Sequence, residues 1–334
     1  MGLFVCLPLV LPLTALPVAR LAEQHLHPRS ATLLLTVVGA LLALCSTLCL
    51  ALLMVVGTAQ LPGNPLPDGW SDPEVRNAVP YEVKAGIVAI GVLAAVLGAC
   101  GWTVYRHVRL RVRAGRALSG SPSVTTGDVA VLPDPEPYAY ALPGNPGRVV
   151  ISTAMTECLD ARERRALIAH ERAHLAARHH RYLLAVQLAA RANPFLLPLR
   201  TAVAFSTERW ADEEAARAVG DRRVVAVAVG KAALFSHGAP DASVGFAAFA
   251  AAGPASAASS APAPDSATAS TAGPVPRRVA ALLAPVPQAR LWPPSSAHAA
   301  LAPLVAAAGT TSSALSSLNA TVSLVQILHA ATPL

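Results

Sequence analysis

The string Ala169-His170-Glu171-Arg172-Ala173-His174 combines residue types that can do chemistry with a spacing that lets them do it together. Two histidines four residues apart stand one turn apart on the same helical face, so both imidazoles can reach one ion. Glu171 is rotated by about 100° around the axis from His170, which leaves its carboxylate free to act on a water instead of ligating. Two histidines and a carboxylate with water in the fourth position make a catalytic zinc arrangement. Such a cation lowers the pKa of that water toward about 7 and polarises a carbonyl. With ten histidines and ten glutamates in 334 residues, a chance His-Glu-x-x-His is expected on the order of 0.01 times per chain. The adjoining His179 and His180 are read as solvated positions on the same helix.

A third ligand has to come from another element. Glu208 and Asp212 are again four apart and share a helical face. Glu208 can complete the set, and Asp212 can bond the remaining ring nitrogen of a ligating histidine. Glu213 and Glu214 point away from that face and are expected to be solvated or salt-bridged. The set predicts one Zn2+ per chain.

The elements that must position these residues are legible around them. Asp160 with Glu163 forms a capping-box start to a long helical stretch, which Asn193-Pro194 interrupts. A further helix is expected from Leu199 to Val219, ending at Gly220. Asp221 caps another that reaches Ser236. Ahead of them, Val129–Leu132, Tyr138–Leu142 and Arg148–Ser152 read as short strands separated by proline-rich turns, predicting a small antiparallel sheet. The strand holding Tyr138, Ala139, Tyr140 and Ala141 could grip an extended peptide by β-addition.

Composition places this segment beside a membrane. Charged residues are 13% of the chain, hydrophobic residues 54%, and mean hydropathy is +0.48, which excludes an ordinary soluble enzyme and a disordered chain. Apolar segments at about 2–19, 31–56 and 83–105 and at 299–334 read as membrane spans. The arginines of 106–116 against the acidic residues of 58–82 put the segment after the third span in the cytosol. The net charge of +7 lies beside these spans and argues for topology, not for a nucleic-acid face. The five cysteines show no paired spacing and imply no disulfide framework. Residues 238–276, dominated by Ala, Ser, Pro and Gly, read as a flexible loop between 106–237 and 277–298, the two parts of one cytosolic domain.

His170-Glu171-x-x-His174 followed by Glu208-x-x-x-Asp212 resembles the gluzincin metallopeptidases, and within them the BlaR/MecR-type membrane peptidases. Pro135-Glu-Pro-Tyr-Ala-Tyr-Ala-Leu142 is similar to that family's edge strand, and Arg278-Val-Ala-Ala-Leu282 more weakly to a later segment. HtpX-type proteases place two spans between the histidine motif and the glutamate. Here Leu183–Phe205, broken by Arg191, Asn193, Pro194, Pro198 and Arg200, is too short for a hairpin across a bilayer. The family's antibiotic-sensing domain does not follow the last apolar segment, so that function does not carry over.

The expected fold is therefore a multi-pass α-helical membrane protein with a cytosolic α+β gluzincin-type zinc peptidase domain. The resemblance implies a bacterial cell membrane and a protein substrate such as a BlaI/MecI-like repressor. Glu171 is the expected general base, with Arg278 as a candidate substrate or oxyanion contact. A non-catalytic membrane scaffold retaining the zinc helix is the rival reading. The intact Glu171 argues against it, because a scaffold needs the ligands but not the base.

Overall fold

The computed structural model describes residues 7–59, 61, 83–120, 124–236, 273–287 and 297–331. Most of the acidic 58–82 segment and of the 238–276 segment lies outside the described residues. Among the described residues, three helices are long and apolar enough to cross a membrane: α3 (Pro28–Ala59), α4 (Val83–Gly120) and α11 (Ala297–Ala331).

The first apolar segment does not form one continuous helix. It folds as α1 (Leu7–Val10), a 3-10 turn (Leu11–Thr14) and α2 (Ala15–His25). Pro8, Pro12 and Pro17 each remove a backbone donor, which breaks the i to i−4 ladder into short pieces. The third apolar segment is longer than its apolar run. α4 continues through the arginine cluster to Gly120, because Arg, Val, Leu and Ala between 106 and 114 sustain a helix well enough. Arg106, Arg109, Arg113 and Arg116 fall at three- and four-residue intervals along it.

Beyond α4, four strands form one sheet in the order β1-β2-β4-β3: β1 (Val124–Thr126), β2 (Val129–Leu132), β3 (Ala139–Leu142) and β4 (Arg148–Ser152). The sheet is mixed, not antiparallel as expected, because β2 pairs parallel to β4, with Val131 opposite Ile151. Pro133, Pro135 and Pro137 follow β2 and have no N–H to close a tight hairpin. The chain instead crosses β4 and returns on its far side, where β3 pairs antiparallel with Tyr140 opposite Val150. This leaves β3 as an edge strand.

α5 (Thr153–Cys158) leads into α6 (Ala161–Ala176), which starts on the capping box. Asp160 Oδ1 accepts from the N–H of Arg162 and Glu163, and Glu163 Oε2 accepts from the N–H of Asp160. Such caps are worth about 1 kcal/mol. Lys231 Nζ holds Glu163 from α9 (Arg222–Phe235) at 2.6 Å. The expected continuous stretch from Asp160 to Asn193 is broken. Arg178 adopts a left-handed conformation, φ 55°, and the chain restarts as α7 (His179–Ala192). After a 3-10 turn at Pro194–Leu196 comes α8 (Leu197–Val219), closed by left-handed Gly220 at φ 76°, a conformation that glycine adopts without a Cβ penalty. Asp221 caps α9 through the N–H groups of Arg223 and Val224. α10 (Pro274–Leu283) completes the domain and packs on α9 through Leu282 and Val279.

One core joins the apolar helices to α7 and α8. Leu35, Val38 and Leu42 of α3 pack with Val186 and Ala189 of α7 and with Leu199 and Val203 of α8. A second lies under the sheet, where Val149 and Ile151 meet Met155, Leu159 and Leu167. α6 is clamped between the sheet and α8, which fixes the histidine pair.

Candidate metal centre

His170 and His174 of α6 face Glu208 of α8 across the interface between the two helices. The Nε2 atoms of the histidines are 3.1 Å apart. Glu208 Oε2 lies 3.5 Å from Nε2 of His170, and Oε1 lies 3.4 Å from Nε2 of His174. Ligands about 2.1 Å from a tetrahedral ion stand about 3.4 Å from one another, so the three side chains fit a zinc ion without rearrangement. Donor atoms of this His–His–Glu group all lie within 4.8 Å of one another. A third ligand on α8 is what the Glu208 spacing requires.

The far side of each histidine is also held. Nδ1 of His170 stands 3.0 Å from Oδ1 of Asp212. Asp212 is in turn bonded by both Nε and Nη2 of Arg278, at 2.8 and 2.7 Å. Nη1 of Arg278 reaches Glu208 Oε2 at 2.9 Å. From α10 the guanidinium thus engages two of the carboxylates of α8 and positions Glu208 and Asp212.

His179 is buried, not solvated as its sequence position suggests. The break at Arg178 turns it back under the site, buried, with its Nδ1 2.9 Å from Nδ1 of His174. A His174 that offers its Nε2 lone pair to a cation carries its proton on Nδ1, and His179 is the acceptor within reach. The ring of Trp210 covers His179 at a centroid distance of 4.7 Å. No motif spacing announces this contact, since it depends on a left-handed arginine. His180 lines the cleft instead.

Charge follows this geometry. Burial alone would lower His170, but its bonds to Asp212 and Glu208 outweigh that and raise it to about 10. Burial lowers His174 to about 4. Burial would raise Glu208 and Asp212, yet the Arg278 guanidinium holds both carboxyls below their ordinary range. A cation in the site takes the place of the His170 proton, since ligating imidazole must be neutral.

Glu171 lies outside the ligand group. Burial pushes its carboxyl up to about 7, against the nearby imidazole of His170, and the backbone N–H of Ala141 is within hydrogen-bonding reach. A cleft of about 90 Å³ runs between it and the edge strand, lined by Tyr140, Pro143, Leu175 and Leu183 among others. In a strand the backbone groups alternate. The Tyr138 carbonyl accepts from Ser152 of β4, so Ala139 and Ala141 turn their N–H and C=O groups outward. Tyr138 itself lies just before β3, its hydroxyl donating to Asp134 at 2.9 Å.

Glu213 and Glu214 point elsewhere. Glu213 is buried against Arg209 and Arg222. Glu214 accepts from Trp210 Nε1 at 3.1 Å and pairs with Arg217.

The metal set makes a graded expectation. His170→Ala and His174→Ala should lose bound zinc, and Glu208→Gln should weaken it, while Glu214→Gln keeps it. His179→Ala should lower zinc affinity by about 10- to 100-fold, the usual effect of losing the partner behind a ligating histidine. His179→Asn, which retains an acceptor, should recover part of it. Competition against a chelating dye reads all six, and an unchanged affinity in His179→Ala would show that the contact holds nothing.

The profile of peptidase family M48 matches residues 117–286, from the last turn of α4 through the sheet and the site helices to just past α10. No curated protein and no solved structure gives a significant match. The matched region is half of the chain and holds every residue of the His–His–Glu group together with Asp212, Glu171 and Arg278. The chain belongs to peptidase family M48, whose members are zinc-dependent metallopeptidases.

Proposed function

We propose that this chain is a membrane-embedded zinc endopeptidase that cleaves a protein segment on the cytosolic face of a bacterial membrane. The observation that carries the reading is Glu171 standing between a fitted His–His–Glu group and an open edge strand. Zinc held by His170, His174 and Glu208 would supply Lewis-acid polarisation of the scissile carbonyl and a more acidic attacking water.

The chain's own residues supply the rest. An extended substrate adds to β3 through the outward groups of Ala139 and Ala141, which brings its carbonyl over the cleft. Glu171 takes the proton from the attacking water and returns it to the leaving amine nitrogen. Its pKa near 7 suits both halves of that exchange. Asp212 and His179 hold the two imidazoles in the required orientation, and Arg278 keeps Glu208 and Asp212 ionised.

Within the metallopeptidases, we favour a BlaR/MecR-type role with a cytosolic repressor of the BlaI/MecI kind as substrate. Support comes from the edge-strand sequence Pro135–Leu142 and from the order of apolar helices around the peptidase segment. Two of the three long apolar helices precede that segment and one follows it. The orientation rests on the arginines of α4. Cysteine labelling should find positions near Asp68 outside and positions near Ser121 inside. Labelling in the opposite sense would move the active site to the other face and discard a cytosolic substrate.

A further inference from the structure

The segment joining the histidine motif to Glu208 is too short to cross a bilayer, yet the structure does not place it outside the apolar helices. α7 and α8 form a hairpin that descends along α3 and α4. α7 begins near Arg111 of α4, whose charge acts on His180. Eight residues later the carbonyl of Leu188 lies 3.8 Å from Sγ of Cys100. On α3, a Cβ at Gly39 would lie 3.4 Å from Leu199 and 3.8 Å from Ala189. At the tip, Asn193 Nδ2 donates to Ser46 Oγ at 3.0 Å and to the carbonyl of Leu9 at 3.3 Å.

Helical rise turns these contacts into depths. Trp102 and Tyr105, followed by Arg106 and Arg109, mark the head-group end of the α4 apolar run. Cys100 lies five residues inside Tyr105, and Asn193 five residues beyond Leu188. At 1.5 Å per residue, the two steps put Asn193 about 15 Å below the Tyr105 level. α3 gives the same answer from the other end. Ser46 lies ten residues, about 15 Å, from Val56, and next to Val56 the backbones of Gly57 and Gly86 touch near the far end of α4. Both rulers put the tip near the middle of a hydrocarbon core about 30 Å thick.

The tip has the chemistry that this depth demands. Non-helical backbone is tolerated in a membrane only where its polar groups are satisfied within the protein. Here Asn193 N–H donates to Ala189, Leu196 N–H to Asn193 O, and Phe195 N–H to Asn193 Oδ1 at 3.0 Å. What faces outward is apolar: Phe195 is 48% and Leu197 46% exposed. Of the arginines of α7 and α8, Arg191, itself exposed, and Arg200 stand nearest the tip, and stems of that length can return a guanidinium toward the head groups.

We propose that α7 and α8 form a re-entrant membrane hairpin, with Phe195 and Leu197 against lipid acyl chains near the mid-plane. The proposal rests on α3 and α4 crossing the bilayer. Its consequence for the enzyme is position. His179 begins the helix that ends at the tip, about 21 Å away, so the metal centre lies at the head-group level, a few ångströms above Tyr105.

Nitroxide labels test it on the whole chain in bilayers, with the native cysteines replaced by alanine. Collision rates with oxygen and with a water-soluble nickel chelate would be measured at Phe195→Cys and Leu197→Cys. Leu97→Cys on α4 and Val124→Cys on β1, both exposed in the structure, are the hydrocarbon and water references. Oxygen-dominated collisions at 195 and 197, matching position 97, are the expected result. Nickel-dominated collisions there with position 97 still in hydrocarbon would overturn the re-entrant hairpin alone. Nickel-dominated collisions at position 97 as well would overturn the span reading and the hairpin with it.

Discussion

Glu171→Gln should lower peptide hydrolysis by at least about a hundredfold while leaving zinc content near wild type. The two halves of this expectation come from different features of the site. Glutamine is nearly isosteric and vacates no coordination position, because the donor atoms that converge belong to His170, His174 and Glu208. It cannot take a proton, however, and the carboxyl it replaces is the one whose burial lifts it to about 7 beside the cleft. The backbone of Ala139 and Ala141 is unchanged in the variant, so substrate should still dock along β3. The variant should then hold its physiological substrate long enough for crosslinking and identification. Zinc analysis and single-turnover hydrolysis decide the matter. Full activity with full zinc would remove Glu171 from the mechanism, and inactivity of both forms would favour a non-catalytic scaffold.

The second large effect is expected at Arg278. Arg278 neutralises two carboxylates, and its side chain is 12% exposed while that of Asp212 is 1% exposed. Removing one partner of a buried ion pair costs about 3–5 kcal/mol, because the other charge is left uncompensated. Arg278→Ala should therefore lower the melting temperature of the zinc-free protein markedly and weaken zinc binding through a misplaced Glu208. Zinc should restore part of the lost stability, since a cation held by Glu208 supplies some of the missing charge. Arg278→Lys should recover little, because one ammonium cannot reproduce a fork that bonds Asp212 twice and Glu208 once. There is also a pH signature. Burial would raise the Asp212 carboxyl, but Arg278 holds it below the ordinary aspartate value of 3.8. A depressed carboxyl adds stability that is complete above its unfolded pKa and is lost as pH falls through the folded one. The wild-type protein should lose that contribution below about pH 4, and Arg278→Ala should show a smaller loss, the part that His170 supplies to Asp212 remaining. Thermal unfolding across pH, with and without zinc, measures this. A variant that melts like wild type in both states would make the bidentate contact energetically idle.

What the sequence determined by itself is local or periodic. The four-residue spacings of His170–His174 and Glu208–Asp212 needed only a helix to put each pair on one face, and Asp160, Gly220 and Asp221 marked where those helices start and stop. The long uncharged runs in α3, α4 and α11 announced themselves by length. What only the tertiary structure decided depends on groups far apart in the chain or on a conformation without a residue marker. A left-handed arginine at position 178 carries no signal of the kind glycine gives, so His179 reads as one more helix position until the break returns it to His174. Arg278 meets Asp212 across 66 residues, a pairing that no spacing rule encodes. The parallel pairing of β2 with β4 follows from prolines that deny a hairpin, a choice made between strands and not within one. The same holds for the depth of the α7–α8 hairpin. Its sequence looked too short for a membrane element, and only its contacts with Ser46 and Cys100 show how far along the apolar helices it reaches.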